Sequence, residues 1–325
     1  MTVNTLSIAL DRYDRHMPFF DGTVKLNNGV SIKALQVGQS DILRDGCERH
    51  GRMIHGEEFD IAEFSMSSYL MAHERGLSLR AIPIFPRRLF SQSCMFVHPD
   101  SDLHEPKDLV GRKVALSSFQ TTLSLLAKGD IKFEYGVSWE EIHWLVTTEE
   151  KVSFNPKPGV KIDRLKQDVD LGELLTRREI DAFFMPHPPR TVMQGRHKAR
   201  RLFRDTQAEE LQYYRRNGFF PIMHVLVMRE ELAQREPWLP KALMRMYAEA
   251  MTVSEDYFSD PNWSRLAWGR HYFERERDLI GNCWPLGFAA NKANLERFIL
   301  YSHDQGLISE RYPAERLFLS STLDT

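Results

Sequence analysis

The order of the predicted elements constrains this chain most. Short apolar strands alternate with helices through the first two thirds, one more strand arrives late at 222–228, and the rest, from about 230 to 306, reads as helix. Strands separated by helices imply βαβ units and a mostly parallel sheet. At roughly 100–200 residues per domain, 325 residues hold two such bodies. The late strand followed by a helical tail predicts a chain that leaves a first domain, builds a second and returns. We place residues 1–91 plus 225–325 in the first and the inserted residues 92–224 in the second. A cleft between two such domains is the expected seat of a small ligand.

Individual spans follow from pattern and punctuation. Strands are predicted at 6–10, 32–37, 59–62, 79–85, 94–97, 113–116, 141–146, 181–185 and 222–228. Pro83 should interrupt the fourth and Pro86 should end it. Asn27-Asn28-Gly29 has the chemistry of a tight hairpin turn. Asp41 is a predicted cap for a helix to about Arg52, and Ser65 for one to about Arg75. Helices are also predicted at 122–128, 171–178 and 206–216.

Several function classes lose support. Lys and Arg number 43 against 45 Asp and Glu, so no broad basic footprint for nucleic acid or an anionic membrane exists. Apolar runs are too short for a membrane span. The start, Leu6-Ser7-Ile8-Ala9-Leu10-Asp11-Arg12, meets charge too soon for a secretory leader, and a cytoplasmic location is expected. Cys47, Cys94 and Cys283 form no CxxC pair and read as small apolar fillers. GxGxxG, GxxxxGK[ST], HExxH and GxSxG are absent, and His50 and His55 are badly spaced for two ligands on one helix face. The Arg196–Arg201 run reads as a solvated basic surface.

Five stretches can carry chemistry. Glu63 ends a strand, and Ser65, Met66 and Ser67 open the next helix, where amides favour an anion; a plain helix cap is the competing reading. Phe85-Pro86-Arg87-Arg88 ends an apolar strand in two arginines, suited to a carboxylate or to surface ion pairs. Ser117–Thr122, with Ser118 and Thr121, opens a second helix in the same way. Met185-Pro186-His187-Pro188-Pro189-Arg190 displays a histidine and an arginine on a rigid turn, for proton transfer or for structure. Tyr213-Tyr214 leads to Phe220-Pro221-Ile222-Met223-His224, whose histidine suits proton transfer or a satisfied core site.

Taken in order, these stretches resemble the 4,5-dihydroxyphthalate decarboxylase family. Glu63-Phe64-Ser65-Met66-Ser67-Ser68-Tyr69, Ile82–Arg88, Tyr135-Gly136-Val137, Trp144, Gly172-Glu173-Leu174, Pro188-Pro189, Tyr213–Arg216, Trp284-Pro285-Leu286-Gly287 and Tyr301–Gly306 carry the likeness. The resemblance implies an α/β, two-domain type 2 periplasmic-binding-protein-like fold. It also implies cofactor-independent conversion of 4,5-dihydroxyphthalate to protocatechuate and CO2. The chemistry asks for an acid (His187 or His224), a hydroxyl base (Glu63 or Asp11), carboxylate clamps (Arg87, Arg88, Arg190) and hydrogen-bond partners (Ser67, Ser118, Thr121). Met66, Phe85 and Tyr214 complete the expected binding wall. No metal or organic cofactor is expected, and the partner is a small aromatic carboxylate. The alternative is a non-catalytic solute-binding protein for such a carboxylate; a third reading keeps the fold and changes the lyase step. Trp263, Trp268 and Trp284 fit either core packing or a homodimer face.

Overall fold

A computed structural model describes residues 5–26, 28–38, 49–55, 58–166 and 169–325. In chain order its strands are β1 (Thr5–Leu10), β2 (Ser31–Gln36), β3 (Ile61–Ser65), β4 (Leu79–Arg88), β5 (Met95–Val97), β6 (Lys113–Leu116), β7 (His143–Val146), β8 (Ile162–Arg164), β9 (Ala182–Phe184), β10 (Arg200–Arg201) and β11 (Ile222–Arg229). The helices are α1 (Met17–Phe20), α2 (Arg49–His55), α3 (Met66–Glu74), α4 (Thr122–Phe133), α5 (Leu171–Thr176), α6 (Arg190–Met193), α7 (Thr206–Asn217), α8 (Glu230–Arg235), α9 (Leu239–Tyr257), α10 (Gly269–Ile280) and α11 (Lys292–Asp304). The predicted Asp41 cap, Cys47 and Asn27 lie outside the described residues. No helix among the described residues is long and apolar enough to cross a membrane.

The chain forms two compact units. The first holds Met1–Arg87, His224–Leu295 and Pro313–Thr325, and its sheet runs β2-β1-β3-β11-β4. β1 is parallel to β2 and to β3, whereas β11 is antiparallel to β3. The predicted hairpin at 27–29 is therefore wrong. Parallel strands cannot close through a two-residue turn, and α1 lies on the connection. Both prolines were also misjudged, since β4 runs through Pro83 and Pro86 to Arg88. It is an edge strand, where a missing N–H costs no ladder bond. The core joins Leu6, Ile8, Ile61, Ile82, Ile84 and Leu226 to α9. α9 presents Leu239, Leu243, Met246, Tyr247 and Ala250, an apolar stripe at helical spacing.

The second unit holds Arg88–Met223 and Glu296–Tyr312, with sheet order β10-β5-β9-β6-β7-β8. β6 is parallel to β7 and β9, while β5 is antiparallel to β9 and to β10. β8 and β10 are too short and polar to carry a strand pattern in sequence. Arg200 and Arg201 of the basic run form β10. Residues 296–312 belong here, not with the rest of the C-terminal region as expected. Side chains explain why: Tyr301 donates to Asp130 at 3.0 Å, and Gln305 donates to the Leu125 carbonyl at 2.8 Å. Trp263 and Trp268 are 44% and 67% exposed, so neither fills a core; Trp263 stacks on Tyr257.

Gly129 shows how closely the second unit is packed. A Cβ there would fall 2.0 Å from the Tyr301 ring, which cannot move without losing its bond to Asp130. Gly129→Ala should destabilise the chain by about 1–3 kcal/mol, the ordinary cost of overpacking. Urea unfolding should show a lower midpoint at unchanged slope.

Candidate active site

The site begins with a break in a pattern. β3 is buried on both faces, as central strands are, yet Glu63 stands with no exposed surface in its middle, not at its end as expected, because pairing with β11 carries the strand on to Ser65. Antiparallel register supplies its partner. Leu226 lies opposite Glu63, so His224, two residues earlier on β11, is a diagonal neighbour on the same face. Its Nδ1 is 2.5 Å from Glu63 Oε1. The Asp11 amide, just beyond β1, donates to Oε2 at 3.1 Å. Arg49, opening α2, donates through Nε to the Glu63 carbonyl at 2.6 Å and brings Nη2 to 3.5 Å from Oε1. Arg49 also donates to the Val37 carbonyl. The His50 ring meets the His224 ring edge to face, with centroids 5.4 Å apart.

These contacts set the protonation states. Burial works against charge on Glu63, but Arg49 and His224 outweigh it and hold the carboxyl well below its usual range. Burial also lowers His224 to about 4, although Glu63 pulls the other way. At neutral pH the pair is therefore a carboxylate and a neutral imidazole. A carboxylate only accepts, so the imidazole proton sits on Nδ1 and the lone pair on Nε2. An imidazolium formed by protonating Nε2 would find its counter-ion already in place.

The loop from Asp11 to His16 is held with equal care. His16 Nδ1 donates to the Asp11 carbonyl at 2.7 Å, which obliges Nε2 to accept from the Tyr247 hydroxyl at 2.8 Å. Burial lowers this histidine to about 4 as well. The Asp11 carboxylate accepts from the Arg12 amide and, at 3.4 Å, from the Tyr13 hydroxyl. The charge of Arg87 is felt at Tyr13, His50 and His224, which places this arginine within electrostatic reach of the pair.

The first unit thus brings together Glu63, His224 and Asp11, with Arg87 in range. Met66 and Ser67 are buried in the first turn of α3, which Ser65 caps by accepting from the Ser68 amide. Phe85 is a core residue packed on Phe318. The remaining candidates sit on the second unit. Arg88 is buried and donates to the Phe220 carbonyl, because consecutive strand residues point to opposite faces. Ser118 is buried, and Thr121 caps α4 through the Ser124 amide. The amides of Phe119 and Gln120 already hold the chain's own Glu150 carboxylate, at 2.6 and 3.1 Å. His187 is exposed on the turn after β9, Arg190 is exposed at the start of α6, and Tyr214 is half-buried in α7.

Sequence reasoning missed Arg49, His50 and His16. Their signal is faint, since each lies in an ordinary-looking polar stretch and acts only through strands far away in the chain. Among the described residues no three His, Cys, Asp or Glu side chains converge as a metal-ligand set.

No family model matches the chain. A 4,5-dihydroxyphthalate decarboxylase from Comamonas testosteroni is 31% identical over 330 residues, covering 98% of both chains. A 4,5-dihydroxyphthalate decarboxylase from Pseudomonas putida is 27% identical over 65% of this chain and 81% of its own length. Among solved structures, the alkanesulfonate-binding protein SsuA from Xanthomonas axonopodis pv. citri, bound to MOPS, aligns with a TM-score of 0.59. Its identity is 13%, over 98% of this chain and 99% of that one. A DSZB variant in complex with biphenyl-2-sulfinic acid aligns at 0.55, with 14% identity over 98% and 97%. The fold is thus the two-domain periplasmic-binding-protein-like α/β fold.

The lowered histidines have a defined pH signature. The unfolded chain takes up protons near pH 6.5 that the native chain refuses until about 4. Their contribution to stability is whole above about pH 6.5 and is lost as pH falls toward 4, of order 3 kcal/mol for His16. Asp130 of the second unit, raised to about 7 by burial, acts in the opposite sense, and its contribution is lost as pH rises toward 7. Single resonances separate the two effects. From pH 8 to about 5 the imidazole signals of His16 and His224 should hold their neutral positions, while those of the urea-unfolded chain titrate near 6.5. Titration of either native histidine near 6.5 would contradict these protonation states.

Proposed function

The chain belongs to the 4,5-dihydroxyphthalate decarboxylase family, and on that footing we propose that it decarboxylates 4,5-dihydroxyphthalate to protocatechuate and CO2, with His224 as proton carrier and Glu63 as its counter-ion. One observation carries this reading: a carboxylate buried in the central sheet, paired through one oxygen with the Nδ1 of a buried imidazole. Binding alone calls for no such pair, whereas ring protonation does.

The chemistry follows from the substrate. Direct loss of CO2 would leave an aryl carbanion. Protonating the ring carbon that bears the departing carboxylate avoids it. The hydroxyl para to that carbon gives up its proton and pushes electron density across the ring, and the carbon takes a proton. The bond to the carboxylate then breaks, its electron pair restores aromaticity, CO2 leaves and the oxygen regains its proton. Overall one proton is consumed and one CO2 released.

The residues divide these tasks. His224 delivers the ring proton from Nε2, and Glu63 stabilises the imidazolium that precedes delivery. Arg87 pairs with a substrate carboxylate. Asp11 takes the hydroxyl proton. Arg49 keeps Glu63 ionised and so keeps the imidazole proton on Nδ1. Substrate binding itself loads the acid. Two carboxylates brought beside His224, one of them neutralising Arg87, raise the affinity of its ring for a proton.

The test is a product assay with purified, chelator-treated protein. His224→Gln should lower kcat by about 10²–10⁴-fold, and Glu63→Gln by at least about tenfold, with His187→Gln close to wild type. Loss of less than about tenfold in His224→Gln would remove it as the acid. Absence of turnover in the wild type, together with a substrate-dependent rise in Tm, would favour a binder of aromatic carboxylates.

A further inference from the structure

A polar cavity lies in the second unit, and none of the residues around Glu63 and His224 lines it. It measures about 810 Å³ and is walled by Arg200, Arg201, Arg204, His104, Gln207 and Glu210, with Phe203, Asp205 and Thr206 beside them. Three arginines face one space, and none forms an ion pair among the described residues. Arg200 is locked, with its guanidinium donating to the carbonyls of Pro99, Arg201, Leu202, Ser101 and Leu103 and to His104 Nδ1. Carbonyls satisfy its hydrogen bonds but leave its charge uncancelled. Burial and the neighbouring charge of Arg204 both act against protonation of Arg200, so the two cations repel across the cavity.

The remaining groups mix donors and acceptors, and their hydrogen bonds show which donors are left. An arginine only donates, so His104 Nδ1 must be the accepting nitrogen in its bond with Arg200, and the His104 proton is on Nε2. Arg201 spends Nε on the Ser93 carbonyl, which leaves its two terminal nitrogens. Arg204 makes no hydrogen bond or ion pair among the described residues. Two carboxylates, Asp205 and Glu210, share the wall with the three arginines and offset part of their charge. Asp205 caps α7 through the Ala208 amide, and Glu210 accepts from the Ser93 amide at 2.9 Å. What fits a cavity where three arginines outnumber two carboxylates, with donors to spare, is a ligand that only accepts.

We propose that this cavity is a binding site for the oxyanion of a small molecule, held chiefly by Arg201 and Arg204 and by the Nε2–H of His104. An anion there would cancel the repulsion between Arg200 and Arg204 and join β10 to the start of α7. The inference stands apart from the decarboxylase reading and survives or fails without it.

Titration calorimetry of the full chain with inorganic phosphate tests it. Binding should be millimolar or tighter, and Arg204→Glu should weaken it by at least about tenfold, since a charge-assisted contact becomes a repulsion. Arg204→Lys should keep most of the affinity. Arg204 anchors nothing else, so turnover should not change in either variant, and without phosphate Tm should hold in Arg204→Lys and hold or rise in Arg204→Glu, which removes the repulsion of Arg200. No heat up to about 10 mM phosphate, or equal binding by Arg204→Glu, would overturn the site. Phthalate, added as competitor, identifies the anion. Displacement of phosphate assigns a carboxylate-tolerant site, and no displacement assigns a phosphoryl-selective one; either result presupposes the oxyanion site and supports it.

Discussion

Glu63 carries a full negative charge inside a sheet, and groups from three other elements are arranged around that charge. An ion of this size loses several kcal/mol on leaving water, which only close partners return. Here they are an imidazole N–H from β11, a backbone amide from the end of β1 and a guanidinium from α2. Each fixes its own element to β3 at the same height, so the geometry that solvates the carboxylate also positions the loop at Asp11. Removing one partner would leave a buried charge uncompensated, a loss of about 3–5 kcal/mol in comparable pairs. Such a cost is tolerable where the charge has work to do, and in the mechanism we propose that work is orienting and stabilising a protonated His224.

The second unit solves a similar problem differently. Asp130 is buried and has no directly bonded cation among the described residues, and the Ser91 and Tyr301 hydroxyls solvate it, at 2.6 and 3.0 Å. Its proton affinity rises where that of Glu63 falls. Hydroxyls alone cannot repay desolvation of a carboxylate, whereas a guanidinium can. Lys128 extends the contrast. Fully buried, with its ammonium nitrogen bonded to the Phe119 carbonyl, it is pushed toward its neutral form. It braces the loop whose amides Glu150 occupies, so this helix start is filled by the chain itself.

Much of the fold was legible in order and type. The alternation of strand and helix, the cap at Ser65 and the helical run after β11 all follow from local chemistry. The failures also have local causes. Pro83 and Pro86 signal an end to a strand unless the strand is an edge, and edge position is set by partners far along the chain. Asn28-Gly29 signals a hairpin unless the flanking strands are parallel, which again depends on what packs between them. Residues 296–312 were misassigned because a helix does not announce which unit it joins.

The sequence by itself determined the two-body α/β plan, the family and the separate candidacy of Glu63, Asp11, Arg87 and His224, because strand ends, helix starts and residue chemistry are local. Only the tertiary structure decided that Glu63 and His224 form one unit, that Arg49 and His16 support it, and that Arg88 turns away. Pairing depends on the register of β3 against β11, strands separated by more than 150 residues, and no local pattern encodes a register that long-range packing selects.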